Sequence, residues 1–203
     1  MAKHNTAEQT AHLVRAMSIL DIVKSRRSVR AYQDRPIPQD AIDDLIEAIR
    51  WAPSAGNLES RKFYFVFHPD RRKALAGAAG NPDLAARMKQ LVKTAVGRNP
   101  LSAAPLVVVA CLDRRIAARY GERGERLYAI QDAAASLMNM MLVAHDRGLG
   151  TVWIGSFDED AVARVLDLPA FLRPVALVPV GYPAQVPAPP QRAPQEQVVE
   201  FVR

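Results

Sequence analysis

From Ala11 to Lys24 the apolar residues Leu13, Val14, Met17, Leu20 and Ile22 or Val23 recur at near-helical spacing. The pattern predicts an amphipathic helix whose carbonyl end is complemented by Lys24, Arg26 and Arg27. A second helix is predicted over Ala41 to Trp51, with Ile42, Leu45, Ile46, Ile49 and Ala52 on its apolar side, Pro38 suited to its first turn and Pro53 stopping it. Aromatic and β-branched content marks Lys62 to Phe67 as a strand, and the almost wholly apolar Leu106 to Cys111 as a strand central in a sheet. Between them, helices are expected around Arg71 to Ala79 and Pro82 to Val96, divided by Gly80, Asn81 and Pro82.

The clearest periodicity lies further on. From Glu125 to His145, Leu127, Ile130, Ala134, Leu137, Met138, Met141 and Leu142 follow helical spacing, and Met140 and Val143 carry the apolar character nearly around the axis. Such a helix is expected to be buried on more than one side. Gly148 and Gly150 end it, and Thr151 to Ile154 begins another strand, followed by a short helix from Asp158 to Leu166 opened by acidic residues. Pro174 to Tyr182 reads as the last main strand, in which Pro179 argues for an edge, a bulge or a strand end. The proline-rich tail from Pro183 to Pro194 predicts an extended surface path, and Val198 to Val202 (VVEFV) could add a strand to a partner's sheet.

Composition narrows the class. With 203 residues, 49% hydrophobic and 24% charged, the chain is long enough for one buried core and reads as a single domain over 1–203, with 183–203 as an extended C-terminal arm. No apolar run approaches a membrane span, and the opening MAKHNTAEQT lacks the layout of a signal peptide, so a soluble, cytoplasmic protein is expected. Cys111 is the single cysteine and excludes an intrachain disulfide. The net charge of +6 gathers at Arg26, Arg27 and Arg30 and again from Arg114 to Arg126. No aromatic residues interleave with the first cluster to stack bases, and no helix-turn-helix or zinc-ligand spacing accompanies the second, so phosphate-bearing small molecules are the more economical partners.

Two short stretches carry candidate chemistry. RRSVR, Arg26 to Arg30, sets three guanidinium groups and a hydroxyl within five residues; on an extended segment, positions 26, 28 and 30 converge on one side, a layout suited to one anion. PSAGN, Pro53 to Asn57, is a small-residue turn closing a helix, where Gly56 permits a positive φ and Ser54 and Ala55 let a flat ligand approach the backbone. Neither GxGxxG nor GxxxxGK[ST] occurs, and His4, His12, His68 and His145 are scattered without a second cysteine or HExxH, which argues against a metal site.

The run SRRSVRAYQDRPIPQDAIDDLIEAIRWAPSAGN, Ser25 to Asn57, resembles the opening of the nitroreductase-like flavoprotein family. GLGTVWIGSF, Gly148 to Phe157, is similar to its later flavin-contact strand, and RPVALVPVGYPAQVPAPPQRAPQEQVVEF, Arg173 to Phe201, resembles its closing strand and C-terminal arm. The three blocks fall in the family's order. The resemblance implies an α+β fold, with a mixed or antiparallel central sheet flanked by helices and an intertwined homodimer exchanging C-terminal arms. It also implies bound FMN, with NAD(P)H as co-substrate. On the matching positions, Arg26, Ser28 and Arg30 would contact the FMN phosphate and ribityl chain with Arg27 nearby, and Arg192 of the arm would complete the phosphate site. Pro53, Ser54 and Ala55 would reach the isoalloxazine from the other subunit, Asn57 would fix the turn or bond the ring, and Trp153, Ile154 and Gly155 would lie against the flavin.

In that scheme NAD(P)H passes a hydride to flavin, and a nitroaromatic, quinone or other conjugated acceptor receives it. The motif requires no side-chain acid or base, so no catalytic residue is assigned. One departure stands beside the platform: where many members carry an NxQPW-like sequence, this chain has NLESR, with Glu59, Ser60 and Arg61. Arg115, Arg119, Arg123 and Arg126 would share one face of a helix and could attract anionic acceptors, or be solvated surface. A flavin-binding module without nicotinamide turnover and a basic nucleic-acid binder remain alternatives.

Overall fold

The computed structural model describes residues 18–79 and 99–203. The expected helix from Pro82 to Val96, and the part of the first helix before Ser18, lie outside them. Helix α1 (Ile19–Ser25) opens on a capping box in which Ser18 and Asp21 satisfy each other's backbone amides. Helix α2 (Gln39–Arg50) buries Ala41, Ile42, Leu45 and Ile49, the spacing that the sequence predicts, and ends before Pro53. Strand β1 (Arg61–Val66) and helix α3 (Pro69–Ala78) follow, then a short helix α4 (Pro100–Ala103) that the sequence did not announce.

Strand β2 (Leu106–Asp113) leads into helix α5 (Ala117–Arg123), a π-turn over Gly124–Tyr128 and the long helix α6 (Ala129–Asp146). Strand β3 (Gly150–Thr151), helix α7 (Glu159–Val165) and strand β4 (Leu172–Gly181) complete the core. The four strands form one antiparallel sheet in the order β1-β2-β4-β3. The fold is therefore α+β with helices on both faces.

Strand alternation explains why β2 is apolar from Leu106 to Leu112. Val108 and Ala110 face Leu45 and Ile49 of α2 and Leu137, Met140 and Met141 of α6, whereas Val107, Val109 and Cys111 face Leu75 of α3, Leu101 of α4 and Val162 of α7. Both faces are buried, so every position must be apolar. Cys111 is accordingly a core residue, its thiol pushed up to about 12 by burial.

Pro179 does not lie on an edge strand, since β4 is flanked by β2 and β3. Ile154 and Leu177 exchange both backbone hydrogen bonds at 2.9 Å, so Leu177, and by alternation Pro179, turn their nitrogens toward the β3 side. There β3 has already ended at Thr151, and the amide hydrogen that proline lacks has no ladder partner to miss.

Helix α6 corrects a second expectation. Ala129, Asp132, Ala133, Ser136, Leu137, Met140, Met141 and Ala144 form a single buried face, while Met138 on its margin and Ile130 near the start of the helix are exposed. In the single chain the buried positions of this helix lie on one side. The helical run Arg114–Asp146, kinked at Gly121, is also long and apolar enough to cross a membrane by length and composition, contrary to the sequence expectation, although its buried stripe belongs to the protein core. Past Tyr182 the chain pairs once with the segment after α1, through Tyr32 and Pro183, and from residue 184 to 203 it is exposed.

Candidate functional site

The segment after α1 is held by a single fit. Arg26 leaves the helix with extended angles (φ −54, ψ 133), Val29 donates its amide to the Thr151 carbonyl at 2.9 Å, and Ser28 bridges Thr151 in parallel. Val29 is 3% exposed and rests on Gly150, where a β-carbon would come within 2.7 Å of the valine side chain. Only glycine allows this approach. With Val29 turned inward, Ser28 and Arg30 point the other way. The Tyr32 hydroxyl closes the segment by donating to the Val29 carbonyl at 2.7 Å, and burial raises its pKa.

Positive charge accumulates here. Nη1 of Arg26 is buried with no hydrogen-bond partner among the described residues, and burial, followed by the charges of Arg192 and Arg27, lowers the Arg26 pKa. Arg27 donates to the carbonyls of Lys24 (2.7 Å) and Arg26 (2.8 Å), capping α1 instead of reaching outward, and Arg30 donates to the Ser28 carbonyl at 3.3 Å. Guanidinium groups gathered around a buried, unpaired N–H have the chemistry to accept an oxyanion.

His145, which the sequence left among scattered histidines, belongs to this cluster. Its Nε2 lies 2.7 Å from the Ser25 hydroxyl. That hydroxyl donates to the Asp21 carbonyl at 2.6 Å, so the imidazole Nε2–H is the donor between them. Burial, then Arg26 and Arg27, lowers the His145 pKa. The only sequence sign was its position in the last turn of a long helix.

Trp153, Ile154 and Gly155 continue from β3, so they stand on the same sheet edge as Ser28. Trp153 is 41% exposed beside Gly155, and Ile154 is fixed by its two bonds to Leu177. The first predicted group, Arg26 to Arg30, and this one are neighbours.

The turn Pro53 to Asn57 is built differently. The Ala55 amide donates to Asp132 Oδ1 at 3.0 Å, the Ser54 hydroxyl accepts the Glu59 amide at 3.1 Å, and Arg61 Nη2 donates to the Ala52 carbonyl at 2.9 Å. Gly56, Asn57 and Glu59 all take left-handed φ values of 56, 55 and 49. A side chain on Gly56 would collide with the Tyr120 hydroxyl. Pro53 and Asn57 are exposed, and Ser54 and Ala55 are half-buried. Asp132 is 6% exposed and its second oxygen, Oδ2, is buried without a partner. Sequence reading missed Asp132 too, as an acidic residue on an otherwise apolar stripe.

The two groups sit at opposite ends of α6. His145 touches Ser25 at one end and Asp132 holds Ala55 at the other, thirteen positions apart, or about 20 Å along the axis. Helix α2 runs antiparallel beside α6, with Asp40 and Asp44 at the Arg147 end and Ala48 accepting from Asn139 midway. The chain by itself therefore does not bring Pro53 to Asn57 together with Arg26 to Arg30.

The arginines from Arg114 to Arg126 do not form one face. Gly121 takes φ 58, ψ −156 and breaks the helix between them. Arg115 pairs with Asp113, Arg126 with Glu122, and Arg123 donates to the Tyr128 hydroxyl at 3.1 Å.

Comparison with known proteins adds a family context. The profile of the Nitroreductase family matches residues 23–182. An NADH dehydrogenase of Thermus thermophilus is 28% identical over 191 residues, covering 86% of this chain and 91% of its own. An FMN reductase [NAD(P)H] of Bacillus subtilis is 28% identical, covering 88% and 72%. The crystal structure of a nitroreductase family protein from Clostridium novyi superposes with a TM-score of 0.69 at 27% identity, over 82% of this chain and 86% of that one.

Proposed function

This chain belongs to the nitroreductase family, and on that premise we propose that it is an NAD(P)H-dependent flavin oxidoreductase that binds FMN. The observation that carries the reading is the buried, unpaired Nη1 of Arg26, within a cluster of guanidinium groups that includes Arg192. A phosphate supplies the acceptor oxygens that this cluster lacks. Arg26, Ser28, Arg30 and Arg192 hold the phosphate and ribityl chain, and Arg27 contributes charge while its side chain caps α1. Trp153, Ile154 and Gly155 form the wall beside the ring system, and Pro53, Ser54, Ala55 and Asn57 form its platform.

The two groups, about 20 Å apart along α6, lie farther from each other than a ribityl phosphate reaches from its own ring. A complete site accordingly takes its anchor from one protomer and its platform from a second copy. Apolar surface is available for that assembly. Ile19 and Ile22 of α1, Trp51, and Leu142 and Val143 of α6 line an open groove of about 510 Å3, with Trp51 81% exposed, and Val198, Val199 and Phe201 of the tail are uncovered. The chain is one domain over 1–203, a soluble cytoplasmic homodimer whose 183–203 arms exchange. Nucleic acid and membrane have no part in the reading.

Bound between the Trp153–Gly155 wall and the Pro53–Asn57 platform, FMN would supply hydride-transfer chemistry between NAD(P)H and a nitroaromatic, quinone or other conjugated acceptor, with the protein orienting both partners against the ring. The deciding experiment is the visible spectrum of the purified protein, followed by anaerobic NADH or NADPH. A yellow protein bleached by either donor is expected. Colour without bleaching would leave a flavin-binding module, and a colourless protein that takes up no FMN would overturn the reading.

A further inference from the structure

A second concavity opens one residue past Asn57. Its wall runs from Leu58 to Lys62 on one side and from Asp113 to Arg119 on the other, with Phe171 at the base, enclosing about 770 Å3. That is ample for a small organic ligand. Tyr64 and Phe171 give it an aromatic floor, and Leu58 and Ile116 add apolar surface. It adjoins the platform turn through Arg119, whose guanidinium lies 5.7 Å from the ring centre of Tyr120, the residue packed on Gly56.

The charges in this cleft are unevenly matched. Asp113 is consumed by Arg115, whose Nε lies 2.9 and 3.0 Å from its two oxygens and whose guanidinium stacks over Phe171 at 4.0 Å. Lys62 and Arg119 have no carboxylate within ion-pair distance among the described residues. Arg61, at the inner wall, spends one nitrogen on the Ala52 carbonyl and keeps Nη1 buried and unpartnered. Glu59 is the one remaining acidic group in the lining. An excess of positive charge over an aromatic floor suits a flat molecule carrying an anionic group.

We propose that this cleft binds a planar aromatic acid, with Lys62 and Arg119 holding its carboxylate. The assignment rests on reading the adjoining turn as the flavin platform, which makes the substrate class of the enzyme an aromatic acid that also carries a reducible nitro or quinone group. It also gives the NLESR departure a purpose: its Arg61 stands at the inner wall of the cleft, and Lys62 follows it directly.

Calorimetric titration of the purified full-length protein with benzoate and its neutral isostere benzamide tests the proposal. Benzoate is expected to bind about tenfold more tightly, the factor one charge-assisted hydrogen bond supplies. The preference should shrink at about 0.5 M salt, where surface charges are screened, and fall to within about twofold in the Lys62→Gln/Arg119→Gln double variant. Equal affinities in the unaltered protein, or a preference that survives the double substitution, would overturn it. So would displacement of benzoate by NADP+ but not NAD+, which would give the cations to the nucleotide 2′-phosphate. Flavin absorbance of the same samples separates the two readings: a colourless protein that still prefers benzoate supports the cleft and sinks the flavin assignment alone.

Discussion

The backbone amide of Ala55 donates to the buried carboxylate of Asp132 at 3.0 Å, across 77 positions of sequence. This bond fastens an exposed, left-handed turn to the central helix of the fold. Replacing Asp132 with alanine leaves a half-buried amide unpaired, and we expect a loss of about 1 to 3 kcal/mol in denaturant unfolding. Asp132→Asn retains an acceptor and should lose less. Equal midpoints for the unaltered protein and the alanine variant would show that the bond holds nothing.

At the other end of α6, Arg26→Ala or Arg30→Ala should weaken FMN binding by about one to two orders of magnitude, because each charge-assisted hydrogen bond contributes roughly 1.5 to 3 kcal/mol. Unfolding temperature without flavin should change little. Fluorescence titration with FMN is the check, and full affinity in both variants sinks the anchor.

Gly150 is where the anchor segment meets the sheet. A methyl group there would collide with Val29, so Gly150→Ala should cost about 1 to 3 kcal/mol of stability and lower flavin content. Shortening Val29 in the same chain should restore part of both. A Gly150→Ala/Val29→Ala protein no better than Gly150→Ala would show that the contact is not what holds the segment.

His145 gives a pH dependence with a definite sign. Its folded pKa lies below the ordinary 6.5, through burial and then the charges of Arg26 and Arg27. Above about pH 6.5 the residue is neutral in both folded and unfolded chains and has no effect; as pH falls below that value the unfolded chain binds the proton first and stability drops. The flavin-free protein should therefore lose stability, as pH falls below about 6.5, more steeply than His145→Gln. A phosphate in the anchor would offset the two arginines, so an NMR titration should show the His145 pKa rising when FMN is added. No change on saturation would separate His145 from the phosphate site.

Trp51 lies in the apolar groove between α1, α2 and α6. Trp51→Arg should convert a dimer to a monomer in sedimentation, and deleting residues 184–203 should weaken the same assembly together with flavin retention. A monomer that keeps full FMN affinity would contradict a shared site.

The helices and strands were legible wherever local pattern decides them. The apolar run at β2, helical spacing at α2 and α6, and the stop at Pro53 all reappear, because each records which parts of an element meet the core. The glycine before the collision with Val29 was visible only as a helix end, since the reason for it is a contact across the fold. His145 and Asp132 were missed for the same cause: Ser25 lies 120 positions from the first and Ala55 lies 77 from the second. The arginine face failed at Gly121, where one positive φ undoes the angular arithmetic of spacing by three and four.

The length of α6 has a genetic consequence. If anchor and platform of one site come from different chains, a chain damaged at Arg26 and a chain damaged at Gly56 are each inactive alone. Mixed in one cell, they form heterodimers in which both lesions fall on the same site and leave the other whole. Random pairing of equal amounts makes half the dimers mixed and should restore roughly a quarter of the wild-type activity, a complementation between two dead alleles that a site confined to one chain could not give.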